Sequence, residues 1–228
     1  ASNTPVPAIP LAEIELRTPG SLSKVTSPIP VRAFVIPGHL GRVTVELLGE
    51  DGRLLSRQIV TLADNLGRKV GLAIDLAFEI PGVSELGRLQ LITVDAFNRP
   101  QAIMSVDVIL LSEGTADLNL VTDFLAHVMI KDPRSSDLIQ GGTLVVSGAA
   151  RPTTSLPFLA ELIDETGRVV GQRLFDVEPG AETDHRPYFV EIPYTVTEPT
   201  RVRLVIRERS DRIPGTIYLI SREILISP

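Results

Sequence analysis

The sequence predicts an all-β chain of two tandem sandwiches, each of about seven strands. Two observations carry that expectation. First, one phrase occurs twice. Glu46-Leu47-Leu48-Gly49-Glu50-Asp51-Gly52-Arg53-Leu54-Leu55 returns as Glu161-Leu162-Ile163-Asp164-Glu165-Thr166-Gly167-Arg168-Val169-Val170, 115 residues further on. Thr18-Pro19 recurs as Asp132-Pro133, and Glu79-Ile80-Pro81 as Glu191-Ile192-Pro193. Each copy has the size of one domain, so the chain is a pair and not a many-repeat solenoid. Second, short β-rich runs broken by Gly, Pro, Asn and Asp fill both copies, and no long run has a 3.6-residue period.

Taken in order, residues 1–12 hold Pro5, Pro7 and Pro10 among small and polar residues, which is the composition of an extended linker. The segment reads either as a tether to an anchor or as a frayed terminus. Residues 13–112 form the first sandwich, with strands expected at 13–17, 29–36, 42–48, 54–62, 70–80, 88–95 and 102–111. Residues 113–126 connect the copies. Residues 127–228 form the second sandwich, with strands at 127–131, 143–149, 159–164, 169–177, 188–196, 200–207 and 218–226. Alternation supports these assignments. Val43, Val45 and Leu47 share one face and Thr44 and Glu46 the other. The phrases Glu50-Asp51-Gly52-Arg53 and Glu165-Thr166-Gly167-Arg168 read as hairpin turns in which glycine supplies a positive φ.

The connecting segment reads two ways. Leu118, Val121 and Leu125 fall on one stripe of a helix over 117–126, with Asp117 as its cap; an extended lead-in to the second copy fits equally. Either way Leu118, Val121, Phe124 and Leu125 are more apolar than a free linker tolerates. They are expected to bury between the ends of the two sandwiches and stiffen the joint.

Composition bounds the function. Hydrophobic residues make up 43% of the 228, which excludes a disordered chain. Net charge is −6, so attraction to nucleic acid or to an anionic membrane is not expected. No apolar run approaches the roughly 20 residues of a membrane-spanning helix, so no membrane insertion is expected. The absence of cysteine removes disulfides, thiolate metal sites and cysteine nucleophiles; it fits export from a bacterium and fits a cytosolic chain as well.

The candidate chemistry is thin. His39, His127 and His185 have no paired-histidine spacing. No Gly-x-Ser-x-Gly elbow accompanies Asp184-His185. Glu113, Asp117, Asp132 and Asp137 gather near the connection, either as calcium ligands or as a solvated acidic stretch. Tyr188, Tyr194 and Tyr218 all lie in the second copy, as an aromatic patch for sugar or as rings packed on a sheet. Arg201, Arg203, Arg207 and Arg209 form a stripe, either a partner surface or a ladder opposite Glu161, Glu191 or Glu223. No catalytic, cofactor or metal site is assigned.

Three runs carry a resemblance: Ile14-Glu15-Leu16-Arg17-Thr18-Pro19, Pro28-Ile29-Pro30-Val31-Arg32-Ala33 and Val45-Glu46-Leu47-Leu48-Gly49-Glu50-Asp51-Gly52-Arg53. The second copy offers Val128-Met129-Ile130-Lys131-Asp132-Pro133, Val145-Val146-Ser147-Gly148-Ala149-Ala150 and Ala160-Glu161-Leu162-Ile163-Asp164-Glu165-Thr166-Gly167. This order resembles the bacterial immunoglobulin-like domain of spore-germination-associated proteins and envelope lipoproteins, here in tandem. The resemblance implies immunoglobulin-like sandwiches outside the cytoplasm, with no catalytic residue to carry over. The expected role is a non-catalytic module that spaces, scaffolds or binds protein at the bacterial cell envelope, secreted or lipid-anchored. Its partner would be an envelope protein. The alternatives are a module binding cell-wall glycan, or an accessory module of an envelope enzyme.

Overall fold

A computed structural model describes residues 8–62, 67–178 and 184–228. Pro5 and Pro7 lie outside the described residues. The described chain is all-β with one turn of 3-10 helix at His39–Gly41, and no helix is long and apolar enough to cross a membrane. The first half runs β1 (Ile14–Thr18), β2 (Lys24–Thr26), β3 (Ile29–Val35), β4 (Arg42–Leu48), β5 (Leu54–Thr61), β6 (Val70–Leu76), β7 (Ser84–Val94) and β8 (Pro100–Leu111). The second runs β9 (Val128–Asp132), β10 (Leu138–Ile139), β11 (Thr143–Ala150), β12 (Phe158–Asp164), β13 (Val169–Phe175), β14 (Arg186–Pro193), β15 (Thr200–Arg209) and β16 (Thr216–Ile226).

Pairing repeats strand for strand. β1-β3-β6 form one small sheet and β9-β11-β14 another, while a long sheet runs β13-β12-β15-β16-β8-β7-β4-β5. β2 adds to β8 in parallel, and β10 adds to β16 in parallel. Leu47 and Leu162 thus sit on equivalent strands, paired with Leu89 and Leu204.

Each small sheet faces its own half of the long sheet across an apolar core. In β3, Ile29, Val31, Ala33 and Val35 point inward, as period-two alternation requires. They meet Val43, Val45 and Leu47 of β4 and Leu89 and Leu91 of β7. The matching core gathers Leu144 and Val146, Ala160 and Leu162, and Val202, Leu204 and Ile206. Burying one such aliphatic side chain contributes about 1.5–3 kcal/mol.

The repeated turns are close counterparts. Gly49 donates its amide to the Arg53 carbonyl, as Asp164 does to that of Arg168, both at 2.9–3.0 Å. Gly52 (φ 82°) and Gly167 (φ 85°) take the left-handed conformation that closes a short hairpin. Gly148 is required for another reason: a Cβ there would stand 1.9 Å from the Met129 carbonyl oxygen, where β9 crosses β11 closely.

The structure departs from the sequence-based expectations in two places and decides one alternative. β2 and β10 were not expected; at three and two residues they are too short to show a period. The segment 113–126 forms no helix. It is extended, bridged to the first half through Lys24–Asp117 and Leu11–Leu125. Finally, the halves are not joined end to end. They lie side by side, because β8 and β16 pair within one sheet.

Candidate interaction site at the junction of the halves

The junction is built around a local two-fold relation. β8 and β16 are the last strands of their halves, and they pair antiparallel as Ala102↔Ile220, Ile103↔Leu219 and Met104↔Tyr218. An offset of 116 residues carries Ala102 to Tyr218, Ile103 to Leu219 and Met104 to Ile220. Ile103 therefore faces its own counterpart, as in a self-complementary dimer contact. Side chains obey the same relation. Ser105 Oγ donates to the Ile217 carbonyl at 2.9 Å, and Ser221 Oγ donates to the Gln101 carbonyl at 2.8 Å. Each bond is the image of the other.

Buried arginines extend the junction. Arg88 of β7 is fully buried; it pairs with Asp107 at 2.8 Å and donates to Ser210 Oγ (2.7 Å) and the Ile213 carbonyl (2.8 Å) in the other half. Its counterpart on β15, Arg203, pairs with Asp95 across the junction at 2.8 Å and donates to Ser221 Oγ at 2.9 Å. Asp95 and Ser210 also match, since each donates its amide to the far end of its own turn, Arg99 or Gly215, at 3.0 Å. Arg99 then reaches across to Glu223 and the Ile163 carbonyl. Burial opposes the Asp95 charge, but the Arg99 amide and the Arg203 and Arg99 guanidiniums hold its carboxyl below the usual carboxylate range.

The contacts of the arginine stripe follow in part the ladder given as its alternative. Arg203 is 8% exposed and belongs to the junction. Arg207 pairs with Glu161 and Arg201 with Glu223 on the neighbouring strands. Arg209 is half-buried with its Nε enclosed. Arg201 and Arg207 are thus rungs of the expected ladder, while Arg203 takes an acceptor that was not among those expected, Asp95 of the other half.

The interdomain set is corrected as well. Leu118 and Leu125 remain 40% and 39% exposed, and neighbouring Leu120 is 90% exposed. Val121 and Phe124 are half-buried and belong to neither core. Phe124 lies under the Arg17 guanidinium, 3.6 Å from its ring centre. The contacts that cross the joint come from β8, β16 and the arginines, which sequence reasoning missed. The available signal was Ser105 and Ser221, two serines at matched places in the last strand of each half.

Between the halves opens a cleft of about 480 Å³. Its floor is residues 104–107 of β8 with Ile217; one wall is Leu120–Asp123 of the connecting segment with Pro19, and the other is Ser210–Arg212 with Thr153 and Thr154. Its charges come largely in pairs, Arg88 with Asp107 and Arg151 with Asp123. Asp123 is held below the usual carboxylate range against its burial, through the Leu125 amide and Arg151. His127 stacks on Tyr218 with ring centres 4.9 Å apart, and its Nδ1 is enclosed without a partner. Burial, reinforced by Arg151, pushes the imidazole down to about 4, so the ring is neutral at physiological pH.

The remaining candidates do not converge. Tyr188, Tyr194 and Tyr218 are all buried, with Tyr188 donating to the Met129 carbonyl and Tyr194 to that of Ser227. His185 contacts the Ala126 carbonyl at 2.7 Å, and Asp184 pairs with Arg186. Asp132 accepts from Ser147 and Asp137 from the Arg134 amide. Among the described residues, no three His, Asp or Glu side chains gather as metal ligands.

No family model matches the chain, and neither does any curated protein. Among solved structures it is similar to the dimeric latent PorU of Porphyromonas gingivalis, at 15% identity and a TM-score of 0.31. That match covers 96% of this chain and 20% of PorU, so the chain spans about a fifth of that neighbour's length. It is also similar to extracellular domains 3–5 of Drosophila OTK, at 15% identity and a TM-score of 0.23, over 96% of this chain and 67% of that one.

Proposed function

We propose that the chain is a non-catalytic, extracytoplasmic binding module of two immunoglobulin-like sandwiches, locked side by side so that they present one fixed surface at a cell envelope. The observation that carries this reading is the junction. Two image-related serine hydrogen bonds and two image-related buried arginines tie the halves, which is more than a covalent tether needs. A fixed relation between sandwiches is useful where a partner contacts both, and the cleft draws its walls from both. The envelope location rests on the sequence resemblance.

Two measurements test it. Small-angle scattering from the chain should fit a single side-by-side arrangement; scattering that demands a broad ensemble of angles refutes the locked junction. In the native host, a tagged chain should be digested by protease added to intact cells or spheroplasts. Protection until the cytoplasmic membrane is lysed refutes the location.

A further inference from the structure

We infer that the cleft receives an arginine side chain from a partner polypeptide. This deepens the binding role proposed above and rests on it. The two-fold relation gives the strands that floor the cleft a counterpart in the other half, and there the matching place is filled. In the filled version Arg222 of β16 leans over the end of β9. Its Nη1 donates to the carbonyls of Pro133 (2.5 Å) and Lys131 (3.4 Å). The matching residues across the junction are Val106 for Arg222, Pro19 for Pro133 and Arg17 for Lys131. Valine has no donor and is four heavy atoms shorter than arginine. Val106 and Pro19 both line the cleft, so the open space lies where the other half places its own guanidinium.

The walls suit that occupant. Leu16, Val106 and Val121 offer an apolar path for the methylene stem, and long cationic side chains cover such surface while their heads stay polar. At the rim Asp211 has no ion pair among the described residues, so it is the carboxylate open to a new cation; Asp107 and Asp123 are already matched to Arg88 and Arg151. A planar guanidinium can serve a carbonyl and a carboxylate together, whereas an ammonium acts as a point charge. Arg212, also on the rim, opposes any cation, so geometry rather than net charge selects the ligand.

The test is a titration of the full chain with a capped Gly-Arg-Gly peptide, followed by amide NMR shifts, alongside its lysine and citrulline counterparts. Saturable shifts are expected at Ser105–Asp107 and Thr122–Asp123, with binding roughly tenfold weaker for lysine or citrulline. Val106→Arg should abolish them by filling the cleft from within, and Arg222→Ala should open a second site at the image position. Should Val106→Arg fail to fold, Asp211→Asn must weaken the arginine peptide severalfold. No saturable shift, equal binding of citrulline, or indifference to both cleft variants overturns the inference. A chain that ignores arginine but shifts the same amides with a cell-wall oligosaccharide overturns the arginine assignment and leaves the binding role standing. A chain inert to both probes overturns the assignment and gives that role no support at the cleft.

Discussion

Removing the Arg88 guanidinium should destabilise both halves at once. The Arg88 side chain is 1% exposed and that of Asp107 is 14% exposed, so the pair sits in a poorly hydrated setting. Arg88→Met keeps most of the volume and deletes the bonds to Asp107, Ser210 and the Ile213 carbonyl. Breaking one partner of a buried ion pair costs about 3–5 kcal/mol, chiefly because the other charge is stranded. Asp107 borders the cleft and can recover some water, which places the expected loss near 3 kcal/mol. For a chain of this size that corresponds to a fall in Tm of roughly 6–12 °C. The assay is urea unfolding followed by two probes. All three tyrosines lie in the second half, so tyrosine fluorescence reports that half while far-ultraviolet dichroism reports both. The two curves should coincide and shift together. Adding Asp107→Leu to Arg88→Met should restore part of the loss, because the stranded charge is gone. A loss below about 1 kcal/mol, or curves that separate in the unmodified chain, would refute the reasoning.

Gly52→Ala and Gly167→Ala should each cost on the order of 1 kcal/mol in urea unfolding, since both force a Cβ into the left-handed region, and a neutral result would remove the turn argument. His127 is neutral in the folded chain down to about pH 4, below its unfolded value of 6.5. Its contribution is therefore complete above pH 6.5 and is lost as pH falls from 6.5 towards 4, by up to on the order of 3 kcal/mol. His127→Phe should retain the stack on Tyr218 and flatten that part of the stability–pH curve; an unchanged slope counts against it. Phe124→Ser should cost about 1 kcal/mol or less and leave the scattering profile unchanged, because β8 and β16 hold the joint; a broadened profile would return that role to the connecting segment.

Strands such as β3 and β14 were legible because they bury one face, and a single buried face imprints a period of two. Val31, Ala33 and Val35 of β3 and Tyr188, Val190 and Ile192 of β14 show it directly, buried between more exposed neighbours. The hairpin glycines were legible for an equally local reason. What escaped depends on distant partners. β2 and β10 exist only because β8 and β16 are long enough to serve two neighbours along one edge: β16 pairs β8 at 218–220 and β10 at 225–226. Arg203 looks like a solvent-facing residue until Asp95, 108 positions earlier, is placed beside it. The leucines of the connecting segment misled because apolar side chains on a free linker are unfavourable. Here the segment is tied down by backbone bonds, such as Ala12 to the Phe124 carbonyl and Lys24 with Asp117, and its leucines stay partly exposed.

The geometry of the joint also limits how the unit can be used. A contact in which Ile103 faces its counterpart Leu219 is self-complementary, and such contacts close on themselves. Both final strands spend their free edges on each other and on β2 and β10, so the same contact cannot recruit a third sandwich. A rod grown by repeating this joint is therefore ruled out, and spacing by length is a poor description of the pair. The outer edges of the long sheet fall to β5 and β13. β13 is partly closed by the Gly171–Tyr194 bridge and the Thr195 amide bonded to the Val170 carbonyl. On β5, Arg57 lies beside Glu46 as a charged pair, the kind of feature that discourages another strand from adding. With the edges of the long sheet spent or guarded, that sheet offers partners its faces and the cleft at the two-fold joint, and there the halves differ: one image position holds Arg222 and the other holds Val106.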